Sequence, residues 1–183
     1  MTHSLRSFAL AAALSLAAAG GAAANPEVGG APMFADRTIV DNAVNSADHE
    51  TLVAAVTAAG LVETLSGPGP FTVFAPVDDA FAALPAGTVE TLLQPENKAQ
   101  LTKVLTAHVV PGTLTRAEID AQLAAGGGRA ELVTVSGDAL AIEKRGGTYY
   151  VVDENANGAA VTIADVMQSN GVIHVVDKVL LPK

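Results

Sequence analysis

Histidine is the side chain best suited to chemistry near neutral pH, as a general acid–base or as a metal ligand through a neutral ring nitrogen. Beyond residue 24 the chain carries His49, His108 and His174, and it has no cysteine anywhere. No two histidines stand at H-x-x-x-H or H-E-x-x-H spacing, and no thiolate is available to complete a zinc site. His108 closes the run "LTKVLTAH", where Leu101, Val104, Leu105 and His108 fall at i, i+3, i+4 and i+7 on one helix face. His174 lies inside the apolar run "VIHVV". Both are expected to be core residues with hydrogen-bonded rings, because a buried unpaired imidazole costs about 1–3 kcal/mol.

Other chemistries find little support. The chain has no G-x-S-x-G elbow to expose a nucleophilic serine, since "LSGPG" around Ser66 places proline where the motif would continue. Ser136 and Ser169 have no histidine nearby in sequence, so a hydrolase would have to assemble serine, histidine and carboxylate through the fold. "DENANG" offers Asp153, Asn155, Asn157 and Gly158 in the first half of a calcium-loop pattern. The closing glutamate of that pattern is Ala164 here, and the flanks read as strands, so a hairpin turn is the expected structure. The glycine run Gly126–Gly128 precedes a strand and not a helix, so it lacks an N-terminus to hold phosphate. The expectation is no catalytic residue, no metal and no cofactor.

The ends and the composition narrow the setting. Arg6, the apolar stretch "FALAAALSLAAAG" and the small pair Ala22 and Ala24 read as a signal peptide over 1–24, cut before Asn25. Residues 25–35 read as a flexible lead-in, and 36–183 as a single domain. Cleavage would make a chain of net charge −9 one unit more negative. With no basic run longer than Lys144-Arg145, that charge argues against nucleic acid and anionic membranes as partners. The mature chain is expected to be secreted or periplasmic, soluble, monomeric and not inserted in a membrane, with a core that no disulfide staples.

The elements that would carry these residues follow from periodicity. Ile39, Val40, Ala43 and Val44 share a helical face, and a second helix uses Leu52, Val53, Val56 and Ala59, capped from Ser46 or Asp48. "LVETL" reads as another short helix. "FTVFAP" reads as a buried strand, followed by a helix capped by Asp78 or Asp79 and by a helical "TVETLLQ". Thr115 and Glu118 form a capping box ahead of Ile119 and Leu123. Beyond "AAGGGRA" the chain is mostly strand: "ELVTV", "ALAIEK", "TYYVVD" and "AAVTI", then a short helix "ADVMQSNG" and a last strand "VIHVVDKVLL". Strand alternation should turn one of Tyr149 and Tyr150 outward. The pattern predicts an α+β fold, helix-rich in its first half, with helices packed on a mostly antiparallel sheet or sandwich.

Three stretches, "FTVFAPVDDAF", "LTKVLTAHVVPG" and "NGVIHVVDKVLLP", resemble in order and spacing the signature boxes of the fasciclin domain family. The resemblance spans about residues 36–183. It implies a wedge-like domain with a β-sandwich core, exported and engaged in adhesion or matrix contact. It singles out Phe74, Pro76, Asp78, Phe81, His108, Val110, Pro111, Gly112, Asn170, Gly171, His174 and Asp177 as motif positions, structural or available for binding. Ala107 stands where many relatives have the aromatic residue of a "YH" pair linked to receptor binding, which weakens the carry-over of that recognition to His108. Val77 replaces a frequent threonine. The expected function is a non-enzymatic module contacting a protein or an extracellular-matrix component, as in adhesion or biofilm association. The alternative is a periplasmic binder of a small apolar or lipid-like ligand, which requires a cavity between helices and sheet. Function on such a scaffold is expected in the exposed loops Gly126–Ala130, Glu143–Tyr149 and Glu154–Gly158.

Overall fold

The structure is a computed structural model that describes residues 25–182; the expected signal peptide lies outside the described residues. The chain enters through a hairpin, β1 (Glu27–Val28) and β2 (Ala31–Pro32), in the stretch expected to be a flexible lead-in. Val28 and Met33 are buried in the core, and that apolar anchoring is what ties the segment down. Three helices follow: α1 (Ile39–Ala43), α2 (Glu50–Ala59) and α3 (Val62–Ser66). A capping box between Thr38 and Asp41 starts α1. Val44, expected on its buried face, is 55% exposed because the helix ends there and the chain turns.

β3 (Phe71–Pro76) leads into α4 (Asp78–Ala82), α5 (Thr88–Leu92), a 3-10 turn at Pro95–Asn97 and α6 (Lys98–Thr106). Then come β4 (Val109–Pro111), α7 (Arg116–Ala125), β5 (Arg129–Val133), β6 (Ala139–Arg145), β7 (Thr148–Val152), β8 (Gly158–Gln168) and β9 (Gly171–Val176). The capping box of Thr115 and Glu118 starts α7 as the sequence predicts.

Seven strands form one mixed sheet in the order β4-β3-β9-β8-β7-β6-β5. Only the β3–β9 pair is parallel, with Phe71 opposite Gly171 and Pro76 opposite Val176. The sheet curls until its ends meet: Val135, just past β5, donates its N–H to the carbonyl of Val109 in β4 at 2.8 Å. One sheet folded over itself therefore encloses an inner core. The fold is α+β, a near-barrel wedge with helices along one side.

β3 and β9 are buried almost throughout because both of their faces are covered, with Thr72 and His174 as their polar members. Val73, Ala75, Ile173 and Val175 pack with the helices, while Phe74 and Val176 point into the curled sheet. Burying Phe74 completely contributes about 2–3 kcal/mol.

The segment "ADVMQSNG" differs from expectation. It is not a helix: its residues through Gln168 continue β8, and Ser169 and Asn170 turn the chain into β9. Val166 and Gln168 are buried while Met167 between them is 41% exposed, which is strand alternation. Pairing with β9 is kept by register shifts between Val161 and Ile163 and between Ile163 and Val166. Asp165 sits in the second shift at φ 59°, a left-handed conformation that aspartate tolerates better than most residues.

Candidate interaction surface

The motif residues are positions where structure and binding could coincide, and the structure places most of their polar groups inside the fold. His108 is 2% exposed at the end of α6. Its Nδ1 donates to the Val104 carbonyl at 2.8 Å, and its Nε2 accepts the N–H of Leu180 at 2.9 Å. That pairing fixes a neutral ring, since an amide N–H cannot face a second N–H. Burial pushes its pKa down to about 4.

His174 is 1% exposed and stacks on Phe74 with ring centroids 5.7 Å apart. Its Nε2 donates to the Leu114 carbonyl at 2.6 Å, and Nδ1 accepts from Asp165 N at 3.3 Å. Burial lowers its pKa as well. Each ring thus joins distant segments, and neither has a nitrogen left for a substrate or a metal.

Asp78 does not cap its own helix, whose cap position is Val77. Its carboxylate reaches across to the start of α2 and accepts from Glu50 N at 3.3 Å and Thr51 N at 2.8 Å. It takes the role expected of Ser46 or Asp48. Asn170 is a hub: Oδ1 accepts from Ile39 N at 3.0 Å, and Nδ2 donates to the carbonyls of Leu65 and Gly67 at 2.7 and 3.0 Å. Beside it, Gly171 allows β9 to lie against Phe71, whose carbonyl would collide with any Cβ there. Asp177 Oδ1 accepts from Ala160 N at 2.7 Å.

Pro76, Phe81 and Val110 are buried. Gly112, at φ 101°, gives its carbonyl to the Thr72 hydroxyl at 2.7 Å. Pro111 alone among the motif positions of β4 is exposed.

The loop "DENANG" uses Asp153 in the same inward way. Its carboxylate accepts from Asn155 N and Asn157 N at 2.9 Å each, and from Asn157 Nδ2 and Leu181 N at 3.1 Å each. Four N–H donors occupy the oxygens that a cation would need. Among the described residues no cluster of three or more His, Asp or Glu side chains is arranged to hold a metal.

The outward chemistry lies on the hairpins. Glu143 is bonded by Arg145 at 2.6 Å and Arg129 at 2.8 Å, and these bonds, Arg145's first, hold its pKa below the usual range. Arg145 also covers the ring of Tyr150 at 5.4 Å. Tyr149 is buried and Tyr150 half-buried, so Tyr150 is the one turned toward solvent. Tyr149's hydroxyl donates to Asp120 at 2.8 Å, and Lys144 bridges both groups at 3.0 Å each. Lys144 and then Tyr149 hold Asp120 low. Periodicity on the sequence turns one of the two tyrosines outward without selecting which, and nothing local in the sequence announces Tyr149's partner Asp120 on α7.

Among the described residues no helix is long and apolar enough to cross a membrane. The fasciclin domain profile matches residues 47–182. The protein sll1483 of Synechocystis sp. is 53% identical over 145 residues, covering 79% of this chain and 73% of that one. The protein sll1735 of Synechocystis sp. is 45% identical over 144 residues, covering 78% of this chain and 96% of that one. A FAS1 domain pair from the insect cell adhesion molecule fasciclin I shares the fold, with a TM-score of 0.68 at 20% identity. It is matched over 79% of this chain and 51% of its own length. On its motif boxes, its sheet and these likenesses, the chain belongs to the fasciclin domain family.

Proposed function

We propose that this protein is an exported, non-enzymatic binding module that contacts a protein or matrix component through its exposed hairpins. The observation that carries the proposal is where the polar groups of the motif boxes go. His108, His174, Asp78, Asn170 and Asp177 all hold backbone groups of other segments. Residues so engaged build a scaffold and leave the variable work to loops. The three loops named from the sequence are largely exposed, apart from Ala130 and Tyr149, which anchor their ends. The structural relative from a cell adhesion molecule supports contact between surfaces as the general mode.

The test is capture from host envelope and matrix fractions on immobilised protein, with the loops altered one at a time. Loss of the captured species on altering a hairpin, with folding intact, is the expected result. Capture that no loop change affects would remove the hairpins from the interface. Turnover of an ester, glycoside or peptide by pure protein, abolished by one serine or carboxylate substitution, would defeat the non-enzymatic assignment.

A further inference from the structure

The dipeptide Asn-Gly occurs twice in the chain, at Asn157–Gly158 and at Asn170–Gly171, and the fold treats the two in opposite ways. Glycine after asparagine is where a carboxamide and the next backbone nitrogen meet most readily, because no Cβ screens that nitrogen. Asn170 is buried, and its carboxamide is fixed at three points, by Ile39 N at 3.0 Å and by the carbonyls of Leu65 and Gly67 at 2.7 and 3.0 Å. Asn157 is exposed at the end of the β7–β8 turn. Its Nδ2 has a single tether, the Asp153 carboxylate at 3.1 Å, and its Oδ1 has no partner among the described residues.

The Gly158 nitrogen is open as well. Asp153 N donates to the Asn157 carbonyl at 3.0 Å, which makes Val152 and Gly158 the next opposed pair, one that shares no hydrogen bond of its own. The Gly158 N–H therefore points away from β7, and among the described residues nothing accepts from it. The bond from Asp153 also draws electrons through the Asn157 carbonyl out of the peptide that carries this N–H, which makes its proton easier to remove.

We propose that Asn157 is a self-modification site, converting to aspartate and isoaspartate through attack of the Gly158 nitrogen on its own carboxamide. Hydroxide takes the Gly158 amide proton, and the nitrogen bonds to Asn157 Cγ. The Cγ–Nδ2 bond breaks, and ammonia leaves with a proton from water, closing a five-membered imide. A second water opens the imide, at Cγ to give aspartate or at the main-chain carbonyl to give isoaspartate. The sum is asparagine plus water going to either acid plus ammonia, with no oxidant, reductant or partner required. Conversion thus stands whether or not this loop is a contact surface. Either product changes the turn. A carboxylate at 157 replaces the N–H donor beside the Asp153 carboxylate, and the two repel. Isoaspartate also routes the chain through one more methylene, which displaces the pairing of Val152 with Gly158. Asp153 holds Leu181 N at 3.1 Å, so the disturbance reaches the C-terminal segment.

The test holds folded protein in mildly acidic and mildly alkaline buffer and follows both Asn-Gly peptides by mass spectrometry, with isoaspartyl methyltransferase labelling to identify the product. Asn157 should convert, several-fold faster in the alkaline buffer and with isoaspartate in excess, while Asn170 stays intact. In denaturant, where the fold no longer distinguishes them, both sites should convert. Gly158→Ala should slow conversion at Asn157 several-fold. A Cβ there would meet only Tyr150 Cδ1 at 3.7 Å, an ordinary contact, so this variant keeps the fold. Asn157→Asp should melt below the unaltered protein, as the converted protein should. Folded protein in which Asn157 converts no faster than Asn170, or equally fast in Gly158→Ala, overturns the site. An unchanged melting temperature in Asn157→Asp overturns the effect on the turn.

Discussion

Three imidazoles in one small domain are buried, and two of them are wired in opposite tautomers. His108 carries its proton on Nδ1 and His174 on Nε2, each assigned by which neighbour can only donate and which can only accept. The consequence is a defined dependence of stability on pH. Burial depresses the folded pKa of His108 to about 4, so on acidification the unfolded chain takes up the proton first. Its contribution is complete above about pH 6.5, is lost progressively as pH falls toward 4, and changes no further below that. A depression of this size corresponds to about 3 kcal/mol across the window. His49 and His174 are also lowered and act in the same direction. Urea unfolding at several pH values should show His108→Phe losing less stability between pH 7 and pH 4 than the unaltered protein. Parallel curves would mean that the ring accepts a proton in place. At pH 7, His108→Ala should cost about 1–3 kcal/mol, because Leu180 N–H and Val104 C=O lose their partner. The sequence pattern was enough to place both rings in the core. Their partners, 60 and 72 residues away for Leu114 and Leu180, leave no trace in any local pattern.

Elements here depend on one another's side chains more than on their own. Asp78 begins α4 yet holds the first amides of α2, where its charge also meets the positive end of the helix. Asp78→Ala should therefore cost about 1–2 kcal/mol in chemical denaturation, and Asp79→Ala, exposed beside it, about 0.5 or less. The reverse ranking would restore the local cap expected from the sequence. The same dependence explains the one element of the wrong type: "ADVMQSNG" is short enough for helical and strand periods to coincide, and only the presence of β9 selects the strand. The β7–β8 turn was legible because "DENANG" specifies its own geometry. With four N–H donors on its carboxylate, Asp153 is the organiser of that turn and its tie to Leu181. Millimolar calcium should leave the melting temperature of metal-free protein unchanged, whereas a bound ion at 100 times its dissociation constant would add about 2.7 kcal/mol. A rise in melting temperature with calcium, absent in Asp153→Ala, would mean that the loop can open to a cation.

At the scale of the whole molecule, the surface proposed for recognition lies apart from the packing that holds the fold. The inner core inside the curled sheet and the outer core under the helices share the β3–β9 pair, so damage to either propagates through it. The hairpin surface is different: its ion pairs are partly exposed, with Arg129 and Arg145 side chains 53% and 60% accessible. Pairs in such positions are screened by water and contribute little to stability. Arg129→Glu and Arg145→Glu should each leave the unfolding free energy nearly unchanged. They would place repelling carboxylates around Glu143 and reverse the local charge of the face. If this face meets the partner, either substitution should weaken capture about tenfold, while Glu96→Lys, exposed elsewhere on the surface, should leave capture unaltered. The comparison needs two measurements on each variant, a denaturation curve and a binding isotherm to the captured species. Loss of capture in proportion to loss of stability would locate recognition in the fold as a whole. Capture lost at constant stability, in the hairpin variants alone, would separate the two functions as the geometry predicts.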